Sequence, residues 1–427
     1  MTKIEYPPQA SVKAGGSDRP LHGISCGARR SMDPIGQTLD RRDFTQGLGL
    51  TGALMLQSMA WPTAVSAAGP AVSPNGADLE PIFDPDQAFI DAHHHLWAKG
   101  REGLVALSGR PRFLFDDLLR EAAGHRLIAS VYINSTTSYR ADGPVDFRGV
   151  GETEFANGQA AASASGLFGP ARVGAALVAG VTCQIGDRLK PVLEAHLAAG
   201  NGRLRGVRQN AAWDADASII GGVINSPPGL YRSDAFRAGF RHIGPLGLSF
   251  DAFLLSPQLS DVIDLARAFP DTTIVLNHMG NPVGTGRYAG KMKERFPIWK
   301  RDLQALAKMP RVYVKIGGLG AHLAEFKSYR SDPPAHSKQI AAEWRPYMET
   351  AIEIFGVHRC MFESNYPVES GTGSYRTIVN ALKRVAAPFS AEERQALFVG
   401  AAADCYRLDL AALPALSSDR GTTPRAS

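Results

Sequence analysis

The chain has 427 residues, of which 44% are hydrophobic and 20% are charged, and its net charge is +5 at neutral pH. These values describe an ordinary soluble globular protein with an ample core. The small excess of positive charge has no basic block behind it, so the sequence gives no indication of nucleic-acid binding.

The first part of the chain has the pattern of an export signal rather than of a folded domain. A twin-arginine pair stands within residues 39–44, a weakly apolar run follows at residues 47–60, and small residues at 64–68 offer a cleavage site. The apolar run is too short and too rich in glycine to span a membrane. We therefore predict a leader over residues 1–68 and a periplasmic or secreted protein. The alternative is a disordered tail with a chance arginine pair, and the long stretch before the arginines raises the alternative of a start at Met32.

From about residue 80 onward, strand patterns alternate with helix patterns. The strands are short apolar runs without strict polar alternation, which is typical of strands buried on both faces of a parallel sheet. The eight predicted strands cover residues 89–97, 127–134, 173–181, 204–210, 248–255, 273–278, 312–317 and 360–366. Helix patterns between them include residues 259–269, 297–308 and 344–355. Eight strands in about 330 residues favour a single-domain (β/α)8 barrel over residues 80–410.

Two long segments between predicted strands, residues 136–166 and 211–229, are predicted to be loops. They follow strands two and four, so they belong to the C-terminal face of the barrel, where barrel enzymes keep their active sites. A doubly wound open sheet is the alternative fold, but no Gly-x-Gly-x-x-Gly turn follows a strand. Residues 411–427 are predicted to form a disordered tail.

Three consecutive histidines end the first predicted strand. Because side chains alternate along a strand, His93 and His95 share one face and His94 takes the other. Two imidazoles on one face can chelate a divalent metal or bind a small anion. The alternatives are histidines satisfied within the core, or a chance run. The whole chain has 11 histidines, so three together at a strand end favour a functional site.

Further polar residues stand at the ends of strands four, six and seven. Arg208 could bind a substrate carboxylate with its guanidinium fork, or form a salt bridge at the barrel rim. His278 lies between an apolar strand and a Gly and Pro turn, so it is predicted to point into the site as a third metal ligand or as a base for water. Lys315 lies within an apolar run, so it must be paired or face the cavity, where it would contact substrate.

Strand eight is predicted to bring Glu363 and Asn365 to one face, with Glu363 one layer deeper in the barrel. Glu363 is either a salt-bridge partner, for example of Lys315, or the acid or base of the reaction. Tyr366, next in the chain, is predicted to contact substrate. Residues 151–154 carry two carboxylates that are interpreted as part of a solvated turn.

The four cysteines form no close pair. Cys26 falls in the predicted leader, and Cys183 and Cys360 lie in or beside strand-like runs. We interpret the latter two as small buried hydrophobic residues rather than as disulfide partners or zinc ligands.

Five motifs stand in the order found in a known family. They are Asp91-Ala92-His93-His94-His95-Leu96-Trp97, Gly206-Val207-Arg208, Leu276-Asn277-His278-Met279-Gly280-Asn281-Pro282, Val314-Lys315-Ile316-Gly317-Gly318-Leu319 and Phe362-Glu363-Ser364-Asn365-Tyr366-Pro367-Val368. Together they resemble the amidohydrolase-2 family of TIM-barrel hydrolases, which includes fuconolactonase-like and pyrone-dicarboxylate lactonase-like enzymes. The likeness covers roughly residues 81–408.

The resemblance implies hydrolysis of a lactone or a related carbonyl compound. It also implies that His93, His95 and His278 lie in the site and that Arg208 lies near a substrate carboxylate. Relatives differ in metal use, because some bind zinc while some lactonases work without metal. We therefore expect one divalent metal, zinc first, held by the three histidines, with a metal-independent mechanism as the alternative.

One position departs from the family's pattern. Many relatives have Asp in strand eight where this chain has Asn365, and that Asp is the expected metal ligand and general base. An asparagine cannot take a proton at neutral pH, although its carbonyl can still ligate or orient. Glu363 or His278 would then supply the base, or the chemistry differs. Ser256 also stands where some relatives have His.

We predict a hydrolase that opens a lactone or similar cyclic ester of a small carboxylated compound by attack of water. Its predicted catalytic residues are His278, Glu363 and Asn365. The alternatives are a decarboxylase or hydratase that acts on an aromatic acid, and a periplasmic binding barrel that has lost catalysis. The sequence leaves the oligomeric state open, a homo-oligomer included.

Overall fold

The computed structural model describes residues 80–216, 218–219 and 226–414, and these form a closed barrel of parallel strands. The strands are β1 Ala88–His94, β2 Arg126–Ile133, β3 Arg172–Gly180, β4 Leu204–Asn210, β5 Ser249–Phe253, β6 Ile274–Leu276, β7 Val312–Ile316 and β8 Cys360–Phe362. Each strand pairs in parallel with the next one along the chain. The ring closes where the N–H of Asn365 donates to the carbonyl of His93 and the N–H of His95 donates to that of Tyr366, each at 2.8 Å. The predicted (β/α)8 barrel is confirmed.

Helices lie between the strands and cover the outside of the barrel. The described residues contain α1 Glu102–Ser108, α2 Phe115–Glu121, α3 Val150–Ala164, α4 Leu189–Ala199, α5 Asp234–Phe240, α6 Leu259–Ala268, α7 Met292–Ala307, α8 Ser337–Phe355, α9 Tyr375–Ala386, α10 Ala391–Gln395 and α11 Ala401–Tyr406. A π-helical turn, Ala396–Gly400, joins α10 to α11. In this part of the chain no helix is both long enough and apolar enough to cross a membrane.

The strands form where the sequence is apolar because both faces of the sheet are covered. Ile128, Val207 and Leu276, on three different strands, have no exposed surface. Helices pack on the outer face and side chains fill the interior. Apolar residues on both sides of a strand are therefore removed from water, which stabilises the sheet. This two-sided burial is why the short apolar runs of the sequence mark the positions of all eight strands.

The segment predicted as a long loop after β2 contains helix α3, so that prediction is wrong. Alanine and other small residues give α3 only a weak apolar stripe, which hides its helical period in the sequence. The small residues allow close packing, because a Cβ on Gly174 of β3 would lie 3.1 Å from the Cβ of Ala160. Glu152, in the first turn of α3, is consequently buried and does not lie in the solvated turn that was predicted.

Strands β6 and β8 end earlier than predicted. They end at Leu276 and Phe362 because the backbone turns into the left-handed region soon afterwards, with φ at 52° for His278 and 51° for Asn365. A strand cannot continue through such a conformation. The alternation that placed Glu363 and Asn365 on one face of a strand therefore does not apply to them.

Two predicted helices begin earlier in the structure. Helix α7 begins at Met292 rather than at Pro297, and α8 begins at Ser337 rather than at Trp344. Pro297 and Pro346 lie inside these helices, whereas a proline in sequence favours a helix boundary.

The predicted leader and most of the predicted tail lie outside the described residues, as does part of the second long loop. Among the residues that are described, Cys183, Cys360 and Cys405 are buried and free of disulfides. This agrees with the interpretation of the first two as small hydrophobic residues.

Candidate active site

The histidines that end β1 lie on two sides of the strand, as alternation predicts. His93 and His95 face the barrel interior, where their Nε2 atoms lie 3.2 Å apart. His94 faces the other way, and its Nε2 lies 2.8 Å from the hydroxyl of Ser130 on the neighbouring strand. His94 is therefore part of the barrel wall, while the other two form a pair of imidazoles.

The partners of each imidazole decide which nitrogen carries its proton. Nδ1 of His95 lies 2.9 Å from the carbonyl oxygen of Ile133, so Nδ1 donates and Nε2 keeps a lone pair. Burial and the charge of Arg208 lower the pKa of His95 well below its usual range. Burial and the charge of Lys315 do the same to the pKa of His93. Both imidazoles are therefore neutral at neutral pH, which is the form that binds metal ions.

Glu363, the residue after β8, is a buried carboxylate between two histidines. Its Oε1 lies 2.7 Å from Nδ1 of His278 and also accepts the backbone N–H of His278 at 3.2 Å. Its Oε2 lies 2.9 Å from Nδ1 of His93 but is not aligned for a hydrogen bond. Because a carboxylate oxygen only accepts, His278 carries its proton on Nδ1 and has a lone pair on Nε2.

The backbone around His278 has an unusual conformation. The φ angles are 52° at His278, 51° at Met279 and 47° at Asn281, in a region that residues other than glycine rarely adopt. The indole of Trp299 holds this turn by donating to the carbonyl of Met279 at 2.8 Å. Gly318 leaves room for the imidazole, since a Cβ there would overlap the ring. Such conformations persist where the surrounding structure aims a side chain at a site.

His93 offers two ring edges to a metal ion, and one of them fits better. On the Nδ1 side, His93 faces Oε2 of Glu363 at 2.9 Å, and donor atoms of His93, His278 and Glu363 lie within 4.8 Å of one another. However, the ammonium of Lys315 lies 3.4 Å from this nitrogen and repels a cation. On the Nε2 side, the 3.2 Å separation from His95 is close to the spacing of two nitrogens on one tetrahedral ion, about 3.3 Å for Zn–N bonds of about 2.05 Å. The Nδ1 proton of His93 would then face the unpaired Oε2 of Glu363.

Lys315 is paired with a carboxylate that is not among the site residues predicted from the sequence. Its Nζ lies 2.6 Å from Oδ2 of Asp251, so Lys315 does not pair with Glu363 as had been considered. Both side chains of this pair are fully buried. Tyr406 and Asn277 also donate to Asp251, at 3.1 and 3.0 Å. Asp251 interrupts an apolar strand, and the same signal in the sequence singled out Lys315. The predicted contact of Lys315 with substrate stays a prediction.

Replacing Lys315 by methionine is expected to lower the free energy of unfolding by about 3–5 kcal/mol, because the carboxylate of Asp251 stays buried without its cation. The double variant Lys315→Met/Asp251→Asn should recover most of that loss, since neither charge remains. Chemical denaturation measures the free energy of unfolding of the single and the double variant. Lys338→Met, on an exposed lysine, is the control. If adding Asp251→Asn to Lys315→Met recovered none of the lost stability, the loss would not come from breaking the ion pair.

Arg208 lies at the end of β4, close to the histidines. Its Nε and Nη2 donate to the side-chain and backbone oxygens of Asn134 at 2.8 and 2.6 Å. The guanidinium lies 5.9 Å from the centre of the Phe253 ring, and the same ring meets His278 edge-on at 5.5 Å. Burial lowers the pKa of Arg208, but a guanidinium remains charged. Within the described residues no carboxylate forms an ion pair with it.

Glu152 holds the segment on either side of Asn134. Its Oε1 accepts from the hydroxyl of Tyr132, from the N–H and hydroxyl of Ser135 and from the N–H of Thr137, at 2.8 to 3.2 Å. This buried carboxylate therefore anchors the loop whose oxygens orient Arg208. The sequence carried no sign of this role, because the contacts join a strand end to a helix that it did not reveal.

Asp91 ties the loop after β8 to β1. Its carboxylate accepts from the N–H and the hydroxyl of Ser364 at 2.9 and 2.6 Å and from the hydroxyl of Tyr375 at 3.0 Å. Burial raises the pKa of Asp91 to about 6 despite these bonds. This role is not among those predicted from the sequence, although Asp91 is a lone carboxylate in an apolar strand. The loop that carries Glu363 and Asn365 is thereby held beside the histidines.

Tyr366 lies in the same loop but is engaged elsewhere. Its hydroxyl accepts from Nη2 of Arg110 at 3.2 Å, and its ring packs edge-on against Phe113 and Tyr375. The side chain is almost fully buried. Its predicted contact with substrate stays a prediction.

The fold and the site together define a class of protein. A histidine pair at the end of the first strand of a (β/α)8 barrel meets a third histidine and a carboxylate, all buried at the C-terminal ends of the strands. Barrel hydrolases have their catalytic groups at this end. The family model described as amidohydrolase matches residues 90–408, and the chain belongs to the amidohydrolase family of hydrolases.

Individual relatives agree with this assignment. An uncharacterized protein of Sinorhizobium fredii, y4mH, is 31% identical over 76% of this chain and 99% of its own length. An L-fucono-1,5-lactonase of Burkholderia multivorans is 28% identical over 52% of this chain and 69% of that enzyme. The crystal structure of an amidohydrolase from Burkholderia multivorans with bound zinc is 25% identical, with a TM-score of 0.56 over 75% of this chain and all of that chain.

Proposed function

We propose that this protein is a metal-dependent lactonase that opens a cyclic ester of a small carboxylated compound by attack of water. The observation that carries the proposal is a buried cluster in which His93 lies between His95 and Glu363, and Glu363 also contacts His278. Arg208, which has no ion-pair partner among the described residues, lies beside this cluster and would receive the substrate's carboxylate. The similarity to L-fucono-1,5-lactonase supports a lactone as the class of substrate.

In this proposal His93 and His95 would hold a divalent ion through their Nε2 atoms. Bound there, the ion would supply polarisation of a substrate carbonyl and a lower pKa for water. Zinc is the first candidate because it favours nitrogen ligands, and because a related amidohydrolase has been crystallised with zinc.

His278 is the base, and Glu363 orients it. Because Nδ1 of His278 donates to Glu363 at 2.7 Å, its Nε2 is free to take a proton from the attacking water. The water oxygen bonds to the carbonyl carbon, the ring C–O bond breaks, and the proton on Nε2 passes to the departing alkoxide. The product is one ring-opened hydroxy acid. Asn365 takes no proton in this scheme, since an amide cannot act as a base at neutral pH.

The test is a panel of lactones with and without a carboxylate, together with open esters and amides, in which the hydrolysed acid is measured by mass spectrometry. We expect turnover of carboxylated lactones. His278→Ala should lower kcat by about 10² to 10⁴-fold while the metal content stays unchanged. His358→Ala, on an exposed histidine, is the control.

Each other outcome would point to a different function. Loss of metal from His278→Ala would make His278 a ligand instead of the base. Release of carbon dioxide would indicate a decarboxylase. Thermal stabilisation by ligands without turnover across the whole panel would indicate a binding barrel.

A further inference from the structure

Glu369 is a fully buried carboxylate that lies one short turn beyond Asn365. Its Oε1 accepts a hydrogen bond from Nδ2 of Asn365 at 2.9 Å. In the opposite direction, the N–H of Glu369 donates to the carbonyl of Asn365 at 3.3 Å. Backbone and side chain thus join the same two residues.

The surroundings leave this carboxylate little freedom to move. The N–H of Thr372 donates to the carbonyl of Glu369 at 2.8 Å, and the Thr372 hydroxyl donates to the carbonyl of Gly320 at 2.6 Å. A Cβ on Gly320 would overlap Oε2 of Glu369, so the chain backbone encloses that oxygen. Burial and the charge of Glu363 raise the pKa of Glu369 to about 8. Buried groups with a strongly shifted pKa are found more often at functional sites than elsewhere.

The amide of Asn365 presents two different atoms, because Oδ1 only accepts hydrogen bonds and Nδ2 only donates them. Oε1 of Glu369 accepts from Nδ2, so Oδ1 of Asn365 is turned away from Glu369. Among the described residues, none donates a hydrogen bond to Oδ1. The backbone of Asn365 is held at the level of the histidines, since its N–H donates to the carbonyl of His93 at 2.8 Å.

We infer that Glu369 is a positioning residue that fixes the amide of Asn365 with Oδ1 turned toward the active site. Asn365 then offers the attacking water an uncharged acceptor that orients it, while the proton passes to His278. In this arrangement the amide has a defined role although it takes no proton. The kinetic part of the inference rests on the proposed function, whereas the geometric part does not.

The geometric part is tested without any substrate. In isotope-labelled protein, the side-chain amide signal of Asn365 is assigned by its loss in Asn365→Asp. Glu369→Gln is expected to shift this signal and to speed its exchange with water by about tenfold or more, since the carboxyl acceptor is replaced by an amide that also presents donors. Glu353→Gln, on an exposed helical glutamate, should leave the signal unchanged. An unchanged Asn365 signal in Glu369→Gln would overturn the inference.

The kinetic part is tested by exchanging the two groups. Glu369→Gln should lower kcat by about 10 to 100-fold with a much smaller change in KM, as for other groups that orient a catalytic residue. Asn365→Asp places two buried carboxylates side by side, so it should lower both the melting temperature and kcat.

In the double variant Asn365→Asp/Glu369→Gln the amide at position 369 donates and the carboxylate at position 365 accepts. The second oxygen of that carboxylate is then turned to the site. It should regain most of the melting temperature and most of kcat. Recovery of the melting temperature without recovery of kcat would show a merely structural role and would overturn the inference. If the unmodified protein turned over no lactone, the proposed function would fail, and the amide signal would still decide the position of Asn365.

Discussion

Replacing His93 and His95 together by alanine is expected to remove the bound metal and to lower kcat/KM for lactone opening by about a thousandfold or more. Their Nε2 atoms, 3.2 Å apart, are the two nitrogens that we propose as ligands. Stabilisation of transition-state charge by a metal ion contributes several kcal/mol, and about 4 kcal/mol corresponds to a thousandfold in rate.

Elemental analysis of the purified protein and of the double variant, side by side, measures the metal, and steady-state kinetics on the same samples measures the rate. Circular dichroism shows whether the variant is folded, and His358→Ala controls for the loss of an exposed histidine. An unmodified protein that is stripped by a chelator, shown to be free of metal and still fully active would contradict the prediction. The histidines would then bind substrate or transfer protons directly, as in metal-independent lactonases.

Replacing Arg208 by methionine is expected to raise KM for a carboxylated lactone by about a hundredfold and to change KM for an uncharged lactone of the same ring size only slightly. Hydrogen bonds to charged groups contribute about 1.5–3 kcal/mol, and about 2.7 kcal/mol is a hundredfold in affinity. KM of Arg208→Lys for the carboxylated lactone should lie between those of the unmodified protein and Arg208→Met, because lysine keeps the charge and loses the planar fork.

Steady-state kinetics with the two lactones separates a role in substrate binding from a role in the fold. Arg205→Met is the matched control, since Arg205 lies on the same strand and donates to backbone carbonyls outside the site. Equal losses on both lactones would mean that Arg208 acts by holding Asn134 in place. The carboxylate-binding role would then be wrong.

The fold could be predicted from the sequence because its signals are local. A parallel strand covered on both faces needs an unbroken apolar run, and each of the eight runs can be recognised without knowing its partners. The pairing of His93 with His95, and the opposite placement of His94, follow from the two-residue period of a strand. The sequence likewise showed that Arg208 and His278 stand at strand ends, where a barrel gathers its active site.

The partners of the charged groups were decided only by the tertiary structure, because they come from distant parts of the chain. Glu363 meets His278, 85 residues away in sequence, and Lys315 pairs with Asp251, 64 residues away, rather than with Glu363. Alternation along one strand says which way a side chain points but not which strand stands opposite, and a buried charge must find a partner wherever the barrel supplies one.

The same limit applies where the backbone leaves regular structure. The left-handed turns at His278 and Asn365 end two strands early and place Glu369 against an amide that strand alternation would have put elsewhere. Helix α3 has too weak an apolar period to be recognised, yet its small residues allow it to pack closely on β3 and to bury Glu152. Periodic patterns thus determined the barrel and the ends of its strands, while packing between distant segments determined which atoms meet in the site.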